Sequence, residues 1–209
     1  SHANLASIAA YPRTVRAISE ILGADEKNWV GYQTGIETGS HRLIKMHMEY
    51  KPYPFKPEEW QDVVEQAFAI SVDNGLVPAA TLIVNLPGER EEDVLKTIAL
   101  VEKLRPYKSL IVPLLYVPMN PAQKMMRFIE DAEWYHWELY MSVWEHNMKW
   151  LPVTAEEYVK NTSPGVKIFV KSLIKLLKRV ADKRVKSFIK SNLEKKLEER
   201  SRKILLKAK

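Results

Sequence analysis

Residues 35–40 read Gly-Ile-Glu-Thr-Gly-Ser, and residues 82–89 read Leu-Ile-Val-Asn-Leu-Pro-Gly-Glu. Each stretch closes an apolar run and turns through glycine toward the start of a helix, which is typical of a strand that leaves a parallel sheet. Parallel α/β sheets bind their ligands at the carboxyl ends of the strands. The two stretches therefore predict a parallel α/β sheet whose chemistry lies at these two strand ends.

The sequence around these stretches alternates between helical and strand patterns. Between them, apolar residues at helical spacing follow a proline-led acidic turn, which predicts an amphipathic helix. The predicted order is helix Tyr11–Leu22, strand Trp29–Thr34, helix Lys56–Gly75, strand Ala79–Val84, helix Glu91–Leu104 and strand Ser109–Val117. This order favours parallel pairing through right-handed crossovers, and three strands are too few to close a barrel.

Charge and cysteine content limit the sites that this chain can hold. The net charge of +6 is unevenly distributed. Residues 160–209 contain 17 Lys and Arg against 4 Asp and Glu, whereas residues 1–159 contain 15 against 22. The absence of cysteine excludes disulfides, a cysteine-ligated zinc site and a thiolate cluster held by this chain alone. We find neither a signal-peptide pattern nor a membrane-spanning apolar run, so we expect a cytoplasmic location.

The residues at the two strand ends admit two interpretations each. Glu37 is a carboxylate that can accept hydrogen bonds from ribose hydroxyls, or it only complements the dipole of the helix predicted over His41–Met48. Ser40 is suited to cap that helix in either case. Pro87-Gly88 is either part of a binding site or an ordinary turn. The common nucleotide-binding glycine patterns are absent, so local chemistry alone leaves both interpretations open.

Three ordered motifs add a resemblance to a known family. Residues 31–40 resemble the fourth-strand motif of radical S-adenosylmethionine enzymes of the methylthiotransferase and cobalamin-dependent kind. Residues 81–89 resemble the fifth-strand segment, with Asn85 where the family usually has glycine, and residues 112–121 resemble the sixth strand. The likeness covers residues 8–121. It implies half of a TIM-type α/β barrel with parallel strands over residues 1–121, followed by an all-helical extension.

The resemblance also implies a set of cofactor-binding residues. Glu37 and its polar neighbours would line the ribose or carboxylate side of S-adenosylmethionine, while Val84–Asn85 and the backbone of Tyr116–Val117 would enclose its adenine. The predicted cofactor-binding residues are Gln33, Gly35, Glu37, Thr38, Ser40, Arg42, Val84, Asn85, Gly88, Glu89, Tyr116 and Val117. No residue is predicted to be catalytic or to bind a metal.

The family holds a 4Fe-4S cluster with three cysteines, and this chain has none. The resemblance therefore implies that the chain is the C-terminal part of a longer iron–sulfur oxidoreductase or methyl- or methylthio-transferase, whose missing N-terminal half carries the cluster. It is compatible with a cobalamin domain in that parent and with a small-molecule or lipid substrate. We expect the chain alone to be inactive and to bind S-adenosylmethionine weakly or not at all.

The rest of the chain is predicted to be helical. Residues 122–160 form an aromatic-rich region in which Trp134 and its neighbours have the helical spacing of core residues, and His136 and His146 lack a metal-binding spacing. Residues 161–209 form a basic amphipathic tail. This tail is interpreted as a membrane-surface helix, as a solvated cover for the barrel flank, or as an RNA contact. The RNA contact is less favoured, because the aromatic residues lie in a different region of the chain.

These interpretations leave two alternatives to an enzyme fragment. One is an RNA-binding or RNA-modifying module, and the other is an adaptor that binds a membrane or a partner through the tail. The predicted strand Trp29–Thr34 would also lie at the edge of an open sheet, where its backbone groups lack a neighbour. We therefore predict either a homo-oligomer formed through this edge or capping of the edge by the tail.

Overall fold

The chain divides into two units in the computed structural model, which describes residues 2–120, 125–160 and 162–207. The first unit is Ser1–Tyr116 and the second is Val117–Lys209. The predicted boundary after residue 121 lies outside the described residues, and so does Pro121 at the end of the third motif.

The first unit alternates helices and strands as the sequence predicts. Strand β1 continues to Glu37 and β2 begins at Leu76, because backbone pairing extends both strands beyond their apolar runs. The elements are α1 (Leu5–Ala10), α2 (Pro12–Leu22), β1 (Val30–Glu37), α3 (His41–His47), α4 (Trp60–Asp73, after a 3-10 turn at Pro57–Glu59), β2 (Leu76–Val84), α5 (Glu91–Leu104) and β3 (Leu110–Leu115).

The three strands form one parallel sheet in the order β1-β2-β3. The register of β1 against β2 shifts between Gly35, opposite Thr81, and Glu37, opposite Leu82. This bulge lies at the carboxyl end of β1. Pro113 is accommodated in β3, which pairs only with β2 among the described residues, because an edge strand does not need every backbone N–H.

Helices cover one face of the sheet. Ile36, Leu82 and Ile111 are buried on this side, and the side chains of Trp60 and Phe68 in α4 are buried as well. Successive residues of a strand point to opposite faces, so the alternate residues form the other face. We call this second face the open face, because most of its residues are partly or fully exposed: Gln33, Gly35, Glu37, Ala79, Thr81, Ile83, Val112 and Leu114.

The N-terminal residues pair with the outer edge of β1. His2 and Gln33 form a parallel bridge, in which the Ala3 backbone N–H donates to the Gln33 carbonyl at 3.0 Å. Thr34 Oγ1 adds a hydrogen bond to the Ala3 carbonyl at 2.9 Å. The sequence patterns did not indicate this pairing, which occupies part of the edge that was predicted to be unpaired.

All the secondary-structure elements described in the second unit are helices, as predicted. It contains α6 (Phe128–Asp131), α7 (Trp134–Tyr158), α8 (Pro164–Leu176) and α9 (Asp182–Lys207), with a π-helical segment, Leu177–Ala181, between the last two. Trp137 is buried between the rings of Phe128 and Phe188, at centroid distances of 4.7 and 5.7 Å. Trp144 Nε1 donates to Asp182 Oδ1 at 2.7 Å, so α7 and α9 pack together. Among the described helices, none combines the length and the apolar content needed to cross a bilayer.

Candidate functional site

Residues 37–40 run from the last residue of β1 to the residue before α3 and are held in a fixed conformation, and we call them the first strand exit. Glu37 has a φ of 62°, which costs a side chain other than glycine about 1 kcal/mol. The buried Trp60 indole donates to the carbonyls of Ile36 and Thr38, at 3.2 and 3.0 Å. Strained residues that are held in place by their surroundings are typical of functional sites, so the geometry makes Glu37 a candidate functional residue.

Gly39 lets the first strand exit contact α5 directly. Its N–H donates to Thr97 Oγ1 and its carbonyl accepts from Gln61 Nε2, both at 2.9 Å. A Cβ at residue 39 would lie only 2.6 Å from the Lys96 carbonyl oxygen. Glycine is therefore required for this contact.

Ser40 and Arg42 bind one buried carboxylate, Asp93, at the start of α5. Ser40 Oγ donates to Asp93 Oδ1 at 2.5 Å. The Arg42 guanidinium makes a two-point contact with Asp93, through Nε to Oδ1 at 3.2 Å and through Nη2 to Oδ2. Burial would raise the pKa of Asp93, but these hydrogen bonds and one from the Arg90 backbone outweigh it and hold the pKa below its usual value. Asp93 thus connects α3 to α5 as an ionised carboxylate.

The segment after β2, residues 85–89, is the second strand exit. Asn85 has a φ of 65°, a left-handed conformation that asparagine adopts more readily than most residues. This explains why asparagine can stand where the resembled family has glycine. Glu89 Oε1 accepts from the Asn85 N–H at 2.9 Å, and His47 Nε2 donates to the Pro87 carbonyl at 2.7 Å. The exit's own Glu89 and His47 of α3 therefore stabilise the second strand exit.

A cavity of about 480 Å³ lies on the open face between the N-terminal residues and the strands. Its polar side chains include Gln33, Glu37 and Thr81, and its apolar wall includes Val112. An adjoining cavity of about 350 Å³ shares part of the wall and extends to Lys51. Both volumes lie in the range of small-molecule sites.

The Glu37 carboxylate lies across Gly35 and has two partners. Lys51 Nζ donates to Oε1 at 3.0 Å, and Thr81 Oγ1 donates to Oε2 at 3.5 Å. A Cβ at residue 35 would collide with this carboxylate, so glycine makes room for it. Because the contact to Oε2 is long, this oxygen is the better placed of the two to accept a ligand's hydrogen bond.

The predicted residues occupy three different environments. Gln33, Gly35 and Glu37 line the cavity. Buried or exit positions hold Thr38, Ser40, Val84, Asn85, Gly88 and Glu89, whereas Arg42 is a partly exposed residue of α3 that binds Asp93 and the Gly88 carbonyl. The Tyr116 N–H donates to the Val84 carbonyl at 2.9 Å and extends the pairing of β3 with β2, whereas Val117 is exposed at the start of the second unit. Lys51, Thr81 and Asp93 also belong to the site, although none of them was predicted from the sequence.

An iron–sulfur cluster does not fit the residues of this chain. The sequence has no cysteine, and the described residues contain no group of three histidine or acidic side chains arranged to hold a metal. Comparison with models of protein families and with curated proteins found no match to this chain.

Proposed function

We propose that the first unit is the C-terminal half of a radical S-adenosylmethionine barrel and that its open face binds the adenosyl group. The observation that carries the proposal is the fixed Glu37 carboxylate, which lies at the carboxyl end of a parallel strand beside the polar groups of Gln33 and Thr81. Sites at this end of the strands are the rule in α/β barrels.

The arrangement of the strands supports a half barrel. Consecutive strands lie side by side in sequence order, and the described helices of the first unit pack on one of their faces, as in the wall of a barrel. The parallel bridge of His2 to β1 has the direction that a preceding barrel strand would have. In this proposal the open face is the interior of the parent barrel.

The chemistry of the cavity suits a nucleoside. A carboxylate can accept hydrogen bonds from both hydroxyls of a ribose, and Glu37 Oε2 is the oxygen that would do so. Lys51 fixes the orientation of the carboxylate through Oε1. The adenine would lie against the backbone of Val84–Asn85 and Tyr116.

The radical chemistry belongs to the parent enzyme in this proposal. The cluster, and a cobalamin group where the parent has one, would be held outside this chain. S-adenosylmethionine supplies an adenosyl group, and the residues of this chain bind and orient it. We assign no catalytic residue here.

The first test is an NMR titration of the whole chain with S-adenosylmethionine, S-adenosylhomocysteine and adenosine. We expect weak binding of all three ligands, with shifts of the Gln33 and Thr81 amide signals. Glu37→Gln should raise the Kd about tenfold or more, because it replaces hydrogen bonds to a charged oxygen with neutral ones. The measurement is the Kd obtained from the shift changes.

Glu20→Gln is the matched control. Glu20 lies on α2, where it pairs with Arg16 at 3.1 Å in an exposed position. This variant should bind like the wild type. If millimolar ligand shifts no signal of the cavity residues, or if the two variants bind equally well, the proposed adenosyl site is refuted.

A further inference from the structure

The two helices of the basic tail, α8 and α9, differ in whether any of their apolar side chains is buried. In α9, Ile189 is buried and Phe188 contacts Trp137, while Lys196 Nζ donates to the Glu130 carbonyl at 3.2 Å. In α8 no residue is buried. The second unit thus packs α9 against α7 and leaves an apolar surface of α8 without cover.

That surface is a continuous strip along one side of the helix. Phe169 and Leu176 are 67% and 59% exposed, and the other members are exposed as well. We call it the apolar stripe, and it consists of Val166, Phe169, Leu173 and Leu176 of α8 together with Leu177 and Val180 of the π-helical segment that follows. Steps of three and four residues place these side chains on one face of a helix.

The opposite side of the same helix is basic. Lys167, Lys171, Lys175 and Lys178 follow one another at steps of four, four and three residues, and form the basic stripe. Residues 158–181 contain six Lys and Arg and no Asp or Glu. The positive surface continues onto α9, where Lys183 and Arg184 line an open groove of about 580 Å³. The surface around α8 is therefore complementary to a negatively charged partner.

We propose that α8 binds the surface of an anionic lipid bilayer. The apolar stripe would insert at the boundary between headgroups and acyl chains, and the lysines of the opposite, basic stripe would attract the helix electrostatically to the anionic lipid surface. An exposed apolar face opposite a lysine-rich face is the pattern of a helix that lies in the plane of the interface. RNA would use the lysines but would leave six exposed apolar side chains in water, so a bilayer accounts for more of this surface.

The test is flotation of the whole chain with vesicles. One set contains equal parts of phosphatidylcholine and phosphatidylglycerol, and the other contains phosphatidylcholine alone. We expect binding to the anionic set, with affinity that falls as salt rises, and little binding to the neutral set.

The apolar contribution is tested with two neighbouring residues of equal exposure. Phe169→Gln removes a side chain from the apolar stripe, whereas Ile168→Gln removes one that is 68% exposed but lies on the lysine side. We expect Phe169→Gln to lower the vesicle partition coefficient roughly tenfold, and Ile168→Gln to change it less than about twofold. Circular dichroism establishes that both variants keep their helix content.

The charge contribution is tested in the same assay. Lys171→Gln with Lys175→Gln should lower partition into anionic vesicles roughly 30-fold, because each lysine near the surface contributes independently. Lys195→Gln with Lys203→Gln, at exposed positions of α9, removes the same charge and should have a much smaller effect.

Three results would overturn the inference. One is the absence of binding to anionic vesicles by the wild type, including the case in which the chain binds single-stranded RNA instead. A second is an equal loss of binding in Phe169→Gln and Ile168→Gln. A third is a dimer that Phe169→Gln dissociates, without vesicle binding, because the apolar stripe would then be covered by a second copy.

Discussion

At the scale of single residues, Asp93 determines the geometry between the two strand exits. Its side chain is 2% exposed and accepts hydrogen bonds from Ser40, Arg42 and the Arg90 backbone. Arg42 also donates to the Gly88 carbonyl at 2.7 Å. One carboxylate therefore connects the start of α3, the start of α5 and the second strand exit. Ser40 and Arg42 have this structural role irrespective of any ligand that they contact.

Asp93→Asn should destabilise the first unit by about 2 kcal/mol at pH 7, because it leaves the Arg42 contact without its charged acceptor. Urea unfolding measures the effect. The folded-state pKa of Asp93 is lowered, so its contribution is fully present above the ordinary aspartate pKa of about 4 and is lost as the pH falls through the folded-state value. The stabilities of wild type and variant should converge in acid.

The control for this prediction is Asp62→Asn. The Asp62 side chain is 80% exposed and pairs with Lys103 at 3.1 Å, so its loss should cost less than about 0.5 kcal/mol. Equal unfolding curves for wild type and Asp93→Asn at pH 7, or a difference that persists unchanged in strong acid, would contradict the role of Asp93.

At the scale of elements, the first strand exit contacts α5 closely enough to fix the direction in which the chain leaves β1. Thr38 Oγ1 and the Gly39 N–H both contact Thr97 Oγ1, at 3.1 and 2.9 Å. Trp60 of α4 holds the neighbouring carbonyls. Two helices distant in sequence thus set the position of Glu37 on the open face.

Gly39→Ala should destabilise the first unit by about 2 kcal/mol, because the new methyl group would force β1 and α5 apart. Thermal unfolding measures the change. It should also weaken adenosine binding if Glu37 moves with the exit. Gly165→Ala is the matched control, since a Cβ there meets nothing within 4 Å in the first turn of α8. A variant at residue 39 that is as stable as the control would show that the exit is not rigid.

At the scale of the whole molecule, the edge of β1 is the feature that bears on assembly. The pairing of Ala3 with Gln33 places the N–H and carbonyl of alternate residues, including Gly31, on the outer side of the strand. Unpaired groups of this kind are a template for another strand. We therefore still expect self-association through β1, although Ala3 already pairs with this edge at Gln33.

Sedimentation velocity over a wide range of protein concentration should show reversible association. Gly31→Lys should reduce it, because a charged side chain on an edge strand opposes pairing with a second sheet, and a Cβ at residue 31 makes only ordinary contacts. Ala17→Lys adds the same charge on the exposed surface of α2 and should have no effect. A chain that is monomeric at every concentration would contradict association through this edge.

The sequence by itself determined the features that depend on local periodicity and turn chemistry. Apolar spacing predicts the helices and strands, and their alternation predicts the parallel pairing that the structure contains. The glycines around residues 35–40 and 82–89 predict the two strand exits. The charge asymmetry predicts a basic tail that is separate from the acidic remainder of the chain. The resemblance indicated three of the residues that line the cavity: Gln33, Gly35 and Glu37.

Only the tertiary structure decided which distant groups meet. Asp93 lies 53 residues from Ser40, Thr81 lies 44 residues from Glu37, and no pattern within one element reports such contacts. The same holds for the tail, where α8 and α9 are both rich in lysine. Packing against α7 buries Ile189 of α9 and brings Phe188 against Trp137, whereas no residue of α8 is buried. Burial is a property of the partners that surround a side chain, and these partners are assembled only when the chain folds.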